Sequence, residues 1–137
     1  MHIHHLALRV RDFEKSLHFY QTLTELKIHT QFSANGGSSA YLQNANGETQ
    51  LELIGMPEGE TVKASGMFLC FGTEDIASAH ERAVLHGMNP SDIRQPEPDA
   101  RYFYVYDPDG LSVQVREYRE GKTAELHQSD LRATFAY

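Results

Sequence analysis

The chain repeats one pattern of secondary-structure signals at a fixed offset of 63 residues. An aspartate in front of an amphipathic helical stretch occurs at Asp12 and again at Asp75. The glycine of a predicted tight turn occurs at Gly47 and again at Gly110. A repeat of this size cannot bury the face of a sheet alone, so we expect the two copies to pair around a shared core.

The first copy is predicted to form a strand, a helix and three further strands. Alternation over residues 4–10 predicts a strand with His5 on one face and His4 and Leu6 on the face toward the helix. Asp12 is typical of a helix N-cap, and apolar residues recur at helical spacing to about residue 26. Strand-like runs separated by Asn-Gly turns follow at residues 27–33, 38–44 and 48–56.

The second copy has the same order. A strand is predicted over residues 66–73, and Asp75 and Gly87 bound a helix with an apolar stripe of Ile76, Ala79, Ala83 and Val84. A short strand around Ile93 and two longer ones complete the unit, at residues 101–106 and 111–117. The fold class is therefore α+β, with two βαβββ modules pairing into a concave sheet cup and helices outside.

The domain boundaries follow from this repeat. Residues 1–117 form a single domain, with the first module at 1–56, a polar linker at 57–64 and the second module at 65–117. Residues 118–137 have no counterpart and form a C-terminal arm. Residues 123–131 of that arm either form a short helix that docks on a partner subunit or belong to a frayed tail.

Composition limits the partners of the chain. The 137 residues are 40% hydrophobic and carry a formal net charge of −7 without a Lys/Arg cluster, which argues against binding to nucleic acid. No apolar run is long enough to span a bilayer, and the single cysteine excludes an intrachain disulfide. We find no signal peptide at the start and expect a cytoplasmic protein.

Several spaced motifs together resemble one family. The HLALRV opening, the segment DFEKSLHFY, the run QLEL at residues 50–53 and the turn DPDG at residues 107–110 are similar to the vicinal oxygen chelate superfamily. That family includes glyoxalase I, extradiol dioxygenases, an epimerase, fosfomycin-resistance enzymes and bleomycin-binding proteins. The resemblance covers about the first 117 residues and implies the fold, a small-molecule ligand and a homodimer, but no particular reaction.

The resemblance also implies four metal-ligand positions, one on the first and one on the fourth strand of each module. Here they are His5, Glu52, Phe68 and Gln114, assuming a one-residue deletion in the last hairpin. His5 and Glu52 match the pattern, and Gln114 is a weaker third candidate ligand. Phe68 has no lone pair to donate, and a first-row catalytic metal normally takes three or more ligands. Extradiol cleavage and glyoxalase I chemistry are therefore disfavoured, and Glu52 is the candidate catalytic residue.

Alternation places further side chains in the predicted cup. The candidate ligand-binding residues are Arg9, Tyr41, Gln43, Phe68, Cys70, Tyr104 and Tyr106. Arg9 is expected either to anchor a carboxylate or phosphate or to pair with Glu52. Tyr102 is equally compatible with core and with ligand contact, and Cys70 is expected to be a small buried hydrophobe rather than a nucleophile.

Two functions from different classes are compatible with these residues. In the first, the protein binds a small organic ligand in an aromatic-lined cup without a complete catalytic metal site, and no cofactor is expected. In the second, it is a metal-dependent lyase, isomerase or epimerase that uses Zn, Ni, Mn, Co or Fe with an atypical ligand set.

Overall fold

Each half of the chain folds into a four-stranded sheet that is covered on one face by a helix. The structure is a computed structural model that describes residues 1–98 and 100–117. The elements of the first half are β1 (His5–Arg9), α1 (Phe13–Thr24), β2 (Lys27–Ala34), β3 (Gly37–Gln43) and β4 (Gln50–Gly55). Those of the second half are β5 (Leu69–Thr73), α2 (Ile76–Leu85), β6 (Arg94–Glu97), β7 (Ala100–Tyr106) and β8 (Ser112–Glu117).

The two sheets have the same topology. Their strand orders are β1-β4-β3-β2 and β5-β8-β7-β6. The first strand of each module runs parallel to the fourth, and the remaining pairs are antiparallel. The predicted α+β class and the duplication of a βαβββ module are confirmed.

The aspartates that revealed the repeat begin both helices. The Asp12 carboxylate accepts a hydrogen bond from Lys15 N at 3.1 Å, and the Asp75 carboxylate accepts one from Ser78 N at 3.0 Å. These contacts satisfy backbone donors that an uncapped first turn leaves without a partner. Helix α2 ends at the cap residue His86, and the predicted Gly87 follows it with φ 67°.

The helix-facing sides of the sheets hold the apolar core of each half. In the first half the core includes Leu8, Leu17, Leu42 and Leu53. Helix α1 packs closely on β4, since a Cβ added to Gly55 would lie 2.7 Å from the Phe13 Cβ.

The second half buries its own apolar set, which includes Ile76, Ala79, Phe103 and Val113. The ring of His80 on α2 meets Phe103 edge-on, with 5.0 Å between ring centroids, which places α2 over that face of β7. The face opposite the helix is hereafter called the open face of each sheet.

Two residues of the predicted apolar stripes are not buried. Leu6 is 37% exposed and Val84 is 55% exposed, so neither belongs to the buried core. Leu6 lies near the beginning of β1, and Val84 lies in the last turn of α2, where the helix ends. Strand β6 begins at Arg94 and so does not include the predicted Ile93.

Backbone contacts divide the chain into two compact units. The first comprises Met1–Gly66 together with the turn Asp107–Leu111, and the second begins at Met67 and resumes at Ser112. The predicted linker ends two residues before the first unit does. The predicted arm at 118–137 lies outside the described residues. None of the helices that the structure describes is long and apolar enough to cross a membrane.

The turn at Asp107 is held by hydrogen bonds to a buried carboxylate. Asp107 Oδ1 accepts from Asp109 N at 2.9 Å and from Leu111 N at 2.8 Å, and Oδ2 accepts from the Tyr20 hydroxyl at 2.6 Å. Burial, with the nearby Asp107 charge, raises the pKa of Tyr20 far above its usual range. Gly110 closes the turn with φ 84°, which favours glycine.

Candidate functional site

Strand pairing places Gln114 at the position that Glu52 occupies in the first module. Glu52 is opposite Tyr41 on β3, and Gln114 is opposite Tyr104 on β7. The two tyrosines are 63 residues apart, whereas Glu52 and Gln114 are 62 apart. The one-residue deletion assumed in the last hairpin is therefore confirmed.

A polar cluster around Glu52 occupies the open face of the first sheet. Glu52 Oε1 accepts a hydrogen bond from Ser39 Oγ at 2.9 Å, and Oε2 lies 3.4 Å from His5 Nε2. The Glu52 residue is only 8% exposed, so these polar contacts compensate for lost hydration. Hydrogen bonding to Glu52 is the largest cause that raises the pKa of Tyr41 above its ordinary value.

The other ring nitrogen of His5 faces a second histidine. His4 Nδ1 and His5 Nδ1 are 2.7 Å apart, so one ring donates and the other accepts. His4 is exposed and lies just before β1, outside the strand whose alternation predicted its place on the helix-facing side. The predicted alternative of an Arg9–Glu52 ion pair is not formed within the described part of the chain; Arg9 is exposed at the end of β1.

A shallow hollow adjoins this cluster. It has a volume of about 150 Å³ and includes the apolar side chains of Phe32, Ile54 and Met56 in its lining. Ser39 and Glu52 contribute polar groups to the same lining. The hollow therefore combines apolar surface with a buried carboxylate, which is a common composition of small-molecule sites.

On the open face of the second sheet, the Gln114 amide has a partner at each end. Gln114 Nε2 donates to the Tyr104 hydroxyl at 2.8 Å, and the Cys70 thiol donates to Gln114 Oε1 at 3.2 Å. The ring of Phe68 packs edge-on against Tyr104 at 5.7 Å between centroids. These four residues form a connected aromatic and polar group, which we call the Gln114 network.

Cys70 was predicted to be buried, and this was wrong. The residue is exposed, although its thiol is within hydrogen-bond distance of Gln114. Loss of solvent around the sulfur raises the pKa of the thiol to about 11, and the positive charge of Arg116 partly offsets that rise. The thiol is thus protonated at neutral pH, which does not favour a nucleophilic role.

Two arginines border the tyrosines of this face. Arg94 and Arg116 are both paired with Tyr102 across the sheet, on opposite sides of β7. The Arg116 guanidinium carbon lies 5.6 Å from the centre of the Tyr102 ring, and that of Arg94 lies 5.6 Å from the centre of the Tyr104 ring. We call Arg94, Tyr102 and Arg116 the arginine row.

Two further candidates lie near strand ends. Gln43 is half-buried near the end of β3, and Tyr106 is 55% exposed at the end of β7. Three side chains of the open faces were not among the sequence candidates: Ser39, Arg94 and Arg116. The signal for Ser39 was present, because it precedes Tyr41 by two residues on one strand. Arg116 likewise follows Gln114 by two residues on one strand. The sequence signal for β6 was weak, so it did not predict which face of the sheet Arg94 is on.

The fold and these clusters define a class of duplicated βαβββ proteins with polar groups on the open sheet faces. The sequence matches the Glyoxalase/Bleomycin resistance protein/Dioxygenase superfamily over residues 2–115. The chain belongs to this superfamily, as the resemblance predicted.

Known relatives agree with this assignment. The uncharacterized protein YwkD of Bacillus subtilis (strain 168) is 30% identical over 122 residues, which cover 84% of this chain and 95% of the relative. The antibiotic binding protein TnmS3 from Streptomyces sp. CB03234 has a TM-score of 0.69 at 20% identity, covering 87% of this chain and 97% of that one. A mutant of the fosfomycin resistance protein FosX from Listeria monocytogenes, complexed with Mn(II) and 1S,2S-dihydroxypropylphosphonic acid, has a TM-score of 0.68 at 16% identity, covering 85% and 92%. These two structures are similar in fold.

The donor set does not fit the divalent metal that some members of this superfamily bind. Of the four positions implied by the resemblance, only His5 and Glu52 have the side chains that such ions prefer. Phe68 has no donor atom, and the Gln114 carbonyl already accepts a hydrogen bond from Cys70. Within residues 1–98 and 100–117, no three His, Cys, Asp or Glu side chains are grouped so that they could hold a metal ion.

Proposed function

We propose that this protein binds a small organic ligand on the open faces of its sheets and that its metal-ligand set is incomplete. The observation that carries the proposal is the Gln114 network. An amide with a partner at both ends, packed beside Phe68, makes a fixed aromatic and polar surface instead of half of a metal site. The antibiotic-binding relative of similar fold supports the same class of function.

The first sheet contributes to this proposal in a different way. Glu52 and Ser39 line a hollow together with Phe32 and Met56, which suits a ligand with an apolar body and a hydrogen-bond donor. His5 orients one oxygen of the carboxylate and leaves the group able to accept further hydrogen bonds. In this proposal the His5–Glu52 pair contacts the ligand.

A second candidate function rests on the same His5–Glu52 contact. The 3.4 Å distance between His5 Nε2 and Glu52 Oε2 brings together two metal-ligand types, and the FosX relative was complexed with Mn(II). In this alternative the protein is a metal-dependent lyase, isomerase or epimerase, and water supplies the missing ligands.

Metal titration of the tag-free protein separates the two candidates. We expect calorimetry with Zn, Ni, Mn, Co and Fe(II) to detect no stoichiometric site. The variants His5→Ala and Glu52→Ala should give the same titration curves as the wild type. Stoichiometric binding that both variants abolish would overturn the metal-free proposal in favour of the second candidate.

A gain-of-function variant tests the proposed reason. The double variant Phe68→His, Gln114→Glu supplies metal-ligand side chains at the two positions that lack them. We therefore expect this variant to bind zinc. The matched control is Phe68→Leu with Gln114→Glu, which lacks the histidine. Equal zinc binding by the two double variants would show that position 68 does not decide metal binding.

A further inference from the structure

We infer that the hollow on the first sheet binds an organic cation, a protonated amine whose apolar part is about the size of one six-membered ring. The ammonium group donates hydrogen bonds to the Glu52 carboxylate, and the ring lies against Phe32, Ile54 and Met56. The inference rests on the proposed ligand-binding function and specifies the chemical class of its ligand. It also gives a role to a carboxylate that the superfamily resemblance would assign to a metal.

The Glu52 carboxylate has no permanent cation as a partner within the described residues. It is 8% exposed, and the hydroxyl groups that hydrogen-bond to it, from Ser39 and Tyr41, are neutral. The His5 ring, 3.4 Å from Oε2, carries a charge only when it is protonated. A carboxylate accepts about four hydrogen bonds, so these three neighbours leave room for a further donor. A ligand cation would therefore complete the environment of a charge that is largely removed from water.

Arg9 is on the strand next to Glu52 but does not line the hollow. It is paired with Ile54 across β1 and β4, and it is exposed. Its guanidinium lies near Gly59, since a Cβ added to that glycine would be 3.8 Å from Nη1. Water screens the Arg9 charge, and Glu52 is the only charged side chain in the lining among the described residues. The net charge of −7 also favours a cationic ligand over an anionic one.

The apolar lining of the hollow is accessible to a ligand. Phe32 is 53% exposed, Met56 is 49% exposed and Ile54 is half-buried. Phe32 and Ile54 are paired with Ser39 from its two sides, so both share the face on which Ser39 donates to Glu52. A volume of about 150 Å³ equals that of a cavity that holds benzene. The hollow therefore has room for one ring beside the carboxylate.

The Met56 side chain makes the wall of the hollow adaptable. Its sulfur lies over Gly37, where an added Cβ would be only 2.5 Å from Sδ. Glycine at this position thus leaves the space that the thioether occupies. Because methionine has an unbranched, flexible side chain and a polarizable sulfur, it adjusts to neighbours of different shape. We therefore expect the hollow to select more strictly for charge than for shape.

Three benzene-based probes of similar shape test the inference. The full chain is titrated at neutral pH with benzylamine, which is then protonated, with benzyl alcohol and with benzoate, and binding is followed by NMR. We expect benzylammonium to bind at least ~10-fold more tightly than benzyl alcohol, because charge-assisted hydrogen bonds are the stronger ones. Benzoate should bind more weakly than benzyl alcohol, since it meets the like charge of Glu52. The backbone amide signals of Ser39 and Ile54 should shift with benzylammonium.

Substitution of the carboxylate provides the second arm. Glu52→Gln keeps the shape of the side chain and removes its charge, so we expect benzylammonium to bind ~10-fold more weakly and benzyl alcohol to bind as before. The matched control is Glu14→Gln, which removes the same charge from an exposed position in the first turn of α1. Phe32→Ala removes an exposed apolar contact and should weaken both probes equally, so it tests the location even if Glu52→Gln fails to fold.

The outcomes distinguish this inference from the function on which it rests. Equal affinity for the three probes, or an equal loss in Glu52→Gln and Glu14→Gln, overturns the cation site and leaves the proposed ligand-binding function intact. Absence of benzylammonium binding by the wild-type protein, or unchanged binding by Phe32→Ala, overturns the inference alone. The metal titration decides the proposed function separately.

Discussion

At the scale of single residues, the Cys70 thiol illustrates how two neighbours act in opposite directions on one group. Loss of solvent around the sulfur favours the neutral thiol, and the Arg116 charge favours the thiolate. The loss of solvent is the larger effect, so the sulfur donates a hydrogen bond to Gln114 instead of carrying a negative charge.

Titration of the single cysteine checks this balance. We expect the thiolate absorbance of the folded protein to appear with a midpoint near pH 11 instead of the ordinary 9.0. At pH 8 the folded thiol should therefore react with iodoacetamide ~100-fold more slowly than the same thiol in the urea-unfolded chain. Arg116→Gln should move the midpoint higher still, and a wild-type midpoint below 9 would contradict the assignment.

The Tyr20 hydroxyl links pH to stability. Its pKa is raised in the folded protein, so above about pH 10 the unfolded chain loses a proton that the folded chain keeps. The free energy of unfolding should therefore hold steady below that pH and fall above it, and Tyr20→Phe should remove this part of the fall. At pH 7 the variant should lose ~1–3 kcal/mol, because Asp107 Oδ2 loses its donor. Urea unfolding measures the pH profile and the loss at pH 7, and the exposed Tyr106→Phe variant is the control. Equal pH profiles for the wild type and Tyr20→Phe would refute the link between Tyr20 and pH-dependent stability.

At the scale of the elements, the helix starts are equivalent in the two modules. Each begins at an aspartate whose carboxylate accepts the backbone N–H three residues later. Equal geometry implies equal contributions to stability from the two caps, even though the helices themselves differ in length and sequence.

Substitution of the caps tests that equivalence. Asp12→Ala and Asp75→Ala should each reduce the free energy of unfolding by ~1 kcal/mol, since each leaves a backbone donor without its side-chain acceptor. Asp→Asn at either position retains the acceptor oxygen and serves as the matched control. If asparagine destabilised the protein as much as alanine in urea unfolding, the cap hydrogen bonds would not be the cause.

The elements that the sequence predicted well are those with strong local chemistry. Asp12 and Asp75 marked helix starts, and Asn35-Gly36 marked a hairpin, because capping and positive φ depend on nearby residues alone. Strand β6 was displaced by one residue, since its sequence RQPE has neither alternation nor β-branched residues.

For the candidate site, the sequence predicted only which sheet face each residue is on and which residues are paired across strands. Alternation put Tyr41 and Cys70 on the correct faces, because strand periodicity alone determines them, and Gln114 followed from the resemblance with a one-residue deletion. It did not predict that Ser39 would be bound to Glu52 or that Cys70 would be bound to Gln114. Such contacts depend on side-chain directions across neighbouring strands, which a single sequence does not specify.

At the scale of the whole molecule, the first sheet ends in a strand with every residue exposed. Strand β2 is an edge strand, and its Phe32 side chain is 53% exposed. Ile3, Met56 and Met67 add further exposed apolar surface. Exposed edges and apolar residues of this kind are commonly covered by another chain.

Mass measurement tests the expected homodimer. Light scattering coupled to size-exclusion chromatography should give twice the chain mass of 15.5 kDa across micromolar concentrations. Dilution should shift the elution toward the monomer if the association is reversible. A constant mass of 15.5 kDa over the whole range would refute the dimer.

The Gln114 network also has a consequence for descent within the superfamily. Both of its partners can donate a hydrogen bond, the Tyr104 hydroxyl as well as the Cys70 thiol, so a carboxylate at position 114 would have a donor at each oxygen. Glutamine and glutamate codons differ by one base, and the shapes of the two side chains are nearly the same. A single base change therefore exchanges the amide for a carboxylate at position 114, which keeps the two forms of this site within one mutational step of each other.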